Sequence, residues 1–174
     1  MILITGATGN IGSNLAFILS KAKVPIKLMV REKKRLAKAL LEEDINIVKA
    51  DYGDTKSLYS AFEGVEKAFL VCSGDPDMTR FEANFIETAK KASISHIVKI
   101  SITGGGPKAL FSTGRWHYES EVYLKILVFH IQFSDHIPVC AKRFFVPRAS
   151  TARHRPYRRT DRRNVVRPQQ ERYC

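Results

Sequence analysis

Ile2-Leu3-Ile4-Thr5-Gly6-Ala7-Thr8-Gly9-Asn10-Ile11-Gly12 decides the fold of this chain. The apolar run Ile2–Ile4 suits a parallel strand buried on both faces. After the glycines, Ile11, Leu15, Ile18 and Leu19 recur at helical spacing through about Lys21. A strand, a glycine-rich turn and a helix make a recognisable phosphate cradle. Gly6 permits the tight turn, Gly9 lets backbone approach a pyrophosphate, and Gly12 lets helix and sheet pack closely. The helix start then offers unpaired N–H groups and the positive end of its dipole. Thr8, Asn10 and Ile11 complete the loop and count with the three glycines as candidate cofactor contacts. The spacing is GxxGxxG, not the more general GxGxxG, and a turn without a ligand is the alternative. The strand before it and the helix after it favour the phosphate site.

The same alternation continues outward. Strands are expected at Ile26–Val30, Asn46–Lys49, Lys67–Cys72 and Ile97–Ser101. Helices are expected over Glu32–Glu42, over Lys56–Phe62, and from Asp77 through about Ala92, with Asp77 as its cap. Strand–helix alternation of this period implies an α/β, doubly wound parallel sheet with right-handed crossovers, the Rossmann arrangement. Ligands of such sheets bind beyond the carboxyl ends of the strands.

Strand two ends at Arg31, 19 residues beyond Gly12, where an acidic residue would bond a ribose 2′-OH and a basic one accommodates a 2′-phosphate. Arg31, with Lys34 and Arg35 close behind, favours NADP(H) over NAD(H); a solvated basic helix face is the plainer reading of the run. Asp51, just after strand three, is placed to accept from an adenine amino group, or else to cap the next helix, a role that suits Asp54 better. Cys72 and Ser73 end strand four with small side chains that let backbone run along a nicotinamide ribose, and Ser101 ends strand five. Cys72 has no base near it in sequence and reads as a small apolar residue, not a nucleophile.

Composition narrows the class further. The chain has 174 residues, 44% apolar and 26% charged, which fits one globular domain and excludes collagen-like, coiled-coil and wholly disordered chains. No apolar run approaches the length of about 20 residues that crosses a bilayer. The opening residues lack the pattern of a secretory signal. Cys72, Cys140 and Cys174 are too few and scattered for a disulfide framework or a metal site, so a reducing cytoplasm is the expected compartment.

Taken together, the opening motif, Arg31, Ala50-Asp51-Tyr52, Ala68-Phe69-Leu70-Val71 and Arg115-Trp116-His117-Tyr118-Glu119-Ser120-Glu121 resemble the NmrA-like group of atypical short-chain dehydrogenase/reductases. The resemblance covers about residues 1–125. It implies a Rossmann domain binding NADP(H), with a smaller substrate lobe drawn mostly from the C-terminal part. The group includes NAD(P)H-dependent reductases of quinones and similar compounds. It also includes non-catalytic nucleotide sensors that bind a protein partner. It further implies that the residues matching His117 and Glu121 line the active-site side of the nicotinamide pocket.

Ordinary members of the larger family use a Tyr with a Lys four residues later, the ammonium lowering the phenol pKa. Tyr118 is followed at that distance by Val122, and Tyr123 has only Lys125, two residues on. His117 and Glu121 do share a helix face at i and i+4, and a carboxylate beside an imidazole would raise its pKa for a proton relay. A surface ion pair is the plainer reading. His117, Glu121 and Tyr118 are therefore the catalytic candidates. Gly104-Gly105-Gly106-Pro107 forms either a closing loop over substrate or a plain surface loop.

Two compositional regimes meet near Lys125. Residues 1–125 hold 18 basic and 14 acidic side chains, whereas residues 126–174 hold 11 and 3. Fourteen Lys and 4 Arg in the first part give way to 1 Lys and 10 Arg in the second, and no Gly follows Gly114. Alternate Phe129, Ile131 and Phe133 suit one more strand. Beyond Pro147 too few apolar residues remain to repay the entropy of ordering, so a disordered tail is expected. A basic tail binding nucleic acid or an acidic membrane surface, a linker, and a change of reading frame after Lys125 are the three explanations. The switch from Lys to Arg and the loss of the expected lobe favour the last, giving domains of 1–125 and 126–174. Loss of a sixth strand would leave an exposed sheet edge and low stability.

Overall fold

The computed structural model describes residues 1–126 and 130–136. Six parallel strands form one sheet in the order β3-β2-β1-β4-β5-β6. They are β1 Ile2–Ile4, β2 Ile26–Val30, β3 Asn46–Lys49, β4 Lys67–Leu70, β5 His96–Ile102 and β6 His130–His136. The helices are α1 Asn10–Lys21, α2 Lys38–Leu41, α3 Thr55–Ala61, α4 Met78–Lys91 and α5 Ser112–Ile126. The chain reverses its direction of travel across the sheet between β1 and β4, so the crevice of the Rossmann fold lies beyond those two strand ends.

Side chains alternate across the pleat, and both faces are covered. Leu3, Ala68, Leu70 and Ile97 face Leu58 and Phe62 of the α3 region, Phe85 and Ile86 of α4, and Leu124 of α5. Ile4, Leu28, Val30 and Phe69 face Ala16 of α1 together with Leu36 and Leu40. This is why β2 is buried at all five positions, Lys27 included. Lys27 resolves its burial by donating from Nζ to the Glu63 carbonyl at 2.6 Å.

Two expectations need correction. The helix expected over Glu32–Glu42 is a 3₁₀ turn, Lys33–Arg35, and the short α2, separated by extended backbone at Leu36 and Ala37. Like charges at Arg31, Lys33, Lys34, Arg35 and Lys38 disfavour a continuous helix. Leu36 and Leu40 still reach the core from the broken pieces. Asp77 precedes α4 as expected but makes no side-chain cap; its Oδ1 pairs with Arg80 at 3.0 Å. Asp54, by contrast, does cap α3, accepting from the Lys56 and Ser57 N–H groups. The further strand expected around Ile131 and Phe133 is present as β6, which pairs with β5 in parallel from His96↔His130 to Ile102↔His136, while Phe129 lies outside the described residues. The exposed edge that loss of a sixth strand would leave at β5 is therefore covered. The Arg-rich segment beyond Pro147 lies outside the described residues.

Candidate functional site

Three glycines of the opening loop do three different jobs. Gly6 has a φ of +62°, which L side chains rarely adopt, and a Cβ there would lie 2.4 Å from Val71 Cγ1. It brings the end of β1 against the end of β4 at the crevice. Gly12 is buried, and a Cβ there would meet the Gly6 carbonyl oxygen at 2.4 Å and that of Thr5 at 2.7 Å. Helix α1 therefore seats on its own loop only without a side chain at that position.

Gly9 differs from both. Its φ of −102° is open to any residue. The nearest atom to an added Cβ is the Gly6 carbonyl oxygen at 3.4 Å, an ordinary contact. Nothing in the protein's own packing demands glycine there. What the missing side chain preserves is open space before the first turn of α1, where Gly9 is the N-cap and no side chain caps the N–H groups. No acidic residue occupies that turn. A helix start with free N–H groups, a positive dipole end and a vacant approach suits a diphosphate. Thr8, Gly9 and Asn10 are exposed there and Ile11 half-buried.

Thr5, passed over in the sequence, pins the crevice together. Its Oγ1 donates to the Phe69 carbonyl at 3.0 Å and accepts from the Val71 N–H at 2.9 Å. Tyr52 adds a second tie, its hydroxyl donating to the Val71 carbonyl at 2.9 Å. The β4 end is thus fixed from both sides.

The remaining cofactor candidates lie around the same rim. Arg31 is exposed directly after β2. Lys34 pairs with Glu32 at 3.1 Å, so the nearest carboxylate engages Lys34. Arg35 is exposed at the end of the 3₁₀ turn. Asp51 is half-buried; its Oδ1 accepts from the Gly53 N–H at 2.8 Å, which shapes the loop after β3. Ser73 donates to Asp75 at 2.9 Å. Burial, with Glu82 and Asp75 nearby, pushes the Cys72 thiol up to about 12, so it remains a thiol at neutral pH, as its reading as a small apolar residue requires.

The catalytic candidates on α5 separate. Ser101, buried at the end of β5, donates to Glu121 Oε1. His117 does not form the expected couple with Glu121: its Nδ1 lies 2.9 Å from Lys99 Nζ. Loss of solvent and the Lys99 ammonium push the imidazole down to about 4, opposite to the rise a carboxylate partner would give. Tyr118 is half-buried on the same helix. Tyr123 is committed elsewhere, its hydroxyl bonded to Glu87 Oε1.

Behind His117 lies a cluster that sequence reading missed. Lys99 is fully buried and pairs with Glu82 Oε2 of α4 at 3.2 Å. Desolvation raises the Glu82 pKa against the pull of Lys99. The loop between β5 and α5 is braced by Arg115, which donates to the Ala109 carbonyl at 2.6 Å and to Ser112 Oγ at 3.1 Å. Leu110, 99% exposed, and Phe111, 45% exposed, stand out from it. Among the described residues no group of His, Cys, Asp and Glu could hold a metal, and no helix is long and apolar enough to cross a membrane.

Similar proteins share this architecture. An NAD(P)H azoreductase of Xenophilus azovorans is 34% identical over 121 residues, covering 70% of this chain and 42% of that protein. Quinone oxidoreductase 2 of Escherichia coli is 38% identical over 105 residues, 59% of this chain and 36% of its own length. This chain thus spans well under half the length of these curated relatives. Among solved structures, the E. coli NADPH-dependent quinone oxidoreductase complexed with NADPH superposes with a TM-score of 0.66 at 31% identity, over 76% of this chain and 47% of that one. The Citrobacter triphenylmethane reductase complexed with NADP(H) gives 0.65 at 26% identity, with the same coverage of both chains. Residues 1–105, carrying the glycine loop, the rim after β2 and β3 and most of the crevice, match the NmrA-like family, and the chain belongs to that family.

Proposed function

We propose that residues 1–125 bind NADP(H) in the crevice and form the cofactor half of a reductase for quinones or small carbonyl compounds. The carrying observation is Gly9, a glycine that neither backbone strain nor internal packing requires, set before an uncapped helix start. The diphosphate would take the N–H groups of Asn10 and Ile11 over the open face of Gly9, whose own N–H closes the loop onto the Gly6 carbonyl at 2.9 Å. Arg31 would bind the 2′-phosphate, a charge-assisted contact that discriminates against NAD(H). Asp51 borders the adenine end, with Lys34 and Arg35 as outer contacts, and Cys72, Ser73 and Ser101 border the nicotinamide end. When bound, the cofactor supplies a hydride. His117, Glu121 and Tyr118 on α5 would orient the acceptor and handle its proton. The quinone oxidoreductase relative supports a quinone as acceptor, and the azoreductase relative supports a reductase role.

The second reading keeps the nucleotide site without turnover, as a sensor for a protein partner. It is favoured by the lack of a Tyr-x-x-x-Lys spacing at Tyr118 and Tyr123 on α5. For residues 126–174 we propose a change of reading frame after Lys125 that replaces the substrate lobe; transcript sequencing across that codon tests it. NADPH oxidation followed with a panel of quinones separates enzyme from sensor. Oxidation that depends on quinone supports the reductase, and NADPH binding without oxidation supports the sensor.

A further inference from the structure

Lys99 sits in the middle of β5, between Val98 and Ile100, with none of its surface exposed. An ammonium has three protons to donate and no lone pair to offer. Two acceptors and a carboxylate surround this one: the Ile100 carbonyl at 3.0 Å and His117 Nδ1 at 2.9 Å lie within hydrogen-bond reach, and Glu82 Oε2 at 3.2 Å makes an ion pair. Because the ammonium can only donate, the His117 nitrogen facing it must carry the lone pair. The proton of a neutral imidazole then sits on Nε2. Such an arrangement is costly to bury and does nothing for the hydrophobic core.

We propose that Lys99 is a positioning residue, braced by Glu82, that locks His117 as the neutral tautomer with its proton on Nε2. The groups facing the ring or its partner are Lys99 from β5, Glu82 from α4, and Ser120 and Glu121 from α5 itself; Glu121 is engaged by Ser101. Resting on the reductase reading, this makes His117 a neutral hydrogen-bond donor to the acceptor oxygen or nitrogen as negative charge develops there, not an imidazolium acid. Only the hydrogen bond strengthens at His117; its proton need not leave.

The test is long-range nitrogen–proton NMR on the full chain with labelled histidine, recorded without cofactor, His117 being assigned by its loss in His117→Gln. The wild type is expected to show an unprotonated Nδ1 and a protonated Nε2 at about pH 7, becoming cationic only near about 4. In the double variant Glu82→Leu/Lys99→Met, which leaves no orphaned charge, the ring is expected to populate both tautomers and to titrate about one to two units higher. A wild-type ring protonated on Nδ1, or cationic at neutral pH, overturns the proposal. So does a folded double variant with an unchanged ring. The wild-type spectrum decides alone if the variant does not fold. No cofactor is present, so a failed NADPH titration would sink the reductase reading and leave this result standing.

Discussion

The two ends of the crevice are built in opposite ways. At the β1 end the proposed contacts are main-chain N–H groups, and the loop is shaped by residues without side chains, Gly6, Gly9 and Gly12. At the β5 end everything depends on long side chains reaching across elements, Lys99 to Glu82 and His117, and Ser101 to Glu121. The first end is fixed by sterics. The second is fixed by buried charge, so its chemistry follows from proton positions.

That contrast predicts how each end breaks. Gly12→Val should be the most damaging change, because its Cβ would lie 2.4 Å from backbone that cannot move aside. Overpacking on this scale costs about 3 kcal/mol or more, and circular dichroism should show little folded protein. Lys99→Met alone comes close behind, at about 3–5 kcal/mol, since it strands the Glu82 carboxylate in the core; adding Glu82→Leu should restore much of the loss in a denaturant melt.

Arg31→Ala should leave the melt unchanged and weaken NADPH binding by about 1.5–3 kcal/mol, the worth of a hydrogen bond to a charged group, with NADH affinity unaffected. Equal losses for both nucleotides would remove Arg31 from the 2′-phosphate. The smallest stability change is expected from Asp54→Ala, about 1 kcal/mol for a lost helix cap, read from the same melts.

The pH response separates the two ends again. Burial and the Lys99 ammonium push His117 down to about 4 in the folded chain, below the 6.5 of a solvated imidazole. The unfolded chain therefore binds the extra proton first, and stability should fall as pH drops from about 6.5 to about 4. His117→Gln should flatten that part of the stability–pH profile.

The same contrast explains what the sequence revealed. A backbone requirement leaves a residue-type signature, so the glycine loop, the β1–α1 unit and the basic rim at Arg31 were legible, as was the Asp54 cap. Lys99 was not. In the run Ile97-Val98-Lys99-Ile100 a lone Lys fits a solvent-facing position, and only a sheet covered on both faces makes it buried. Its partners come from positions 82 and 117, which no local spacing connects. Thr5 was hidden likewise, because its bonds run to strand β4, 64 residues away. The second helix was overread since Leu36 and Leu40 keep helical spacing even where the backbone between them is extended.

The central claim is that an uncrowded main-chain loop holds a dinucleotide, and Gly9→Ala tests it most directly. The added methyl fits the fold, with its nearest neighbour at 3.4 Å, yet fills the approach to the helix start. Calorimetric titration with NADPH should give clear heat with the wild type and an affinity lower by about tenfold or more with the variant, at equal melting temperature. Equal affinity in the two proteins, or no heat from a folded wild type, would contradict the account.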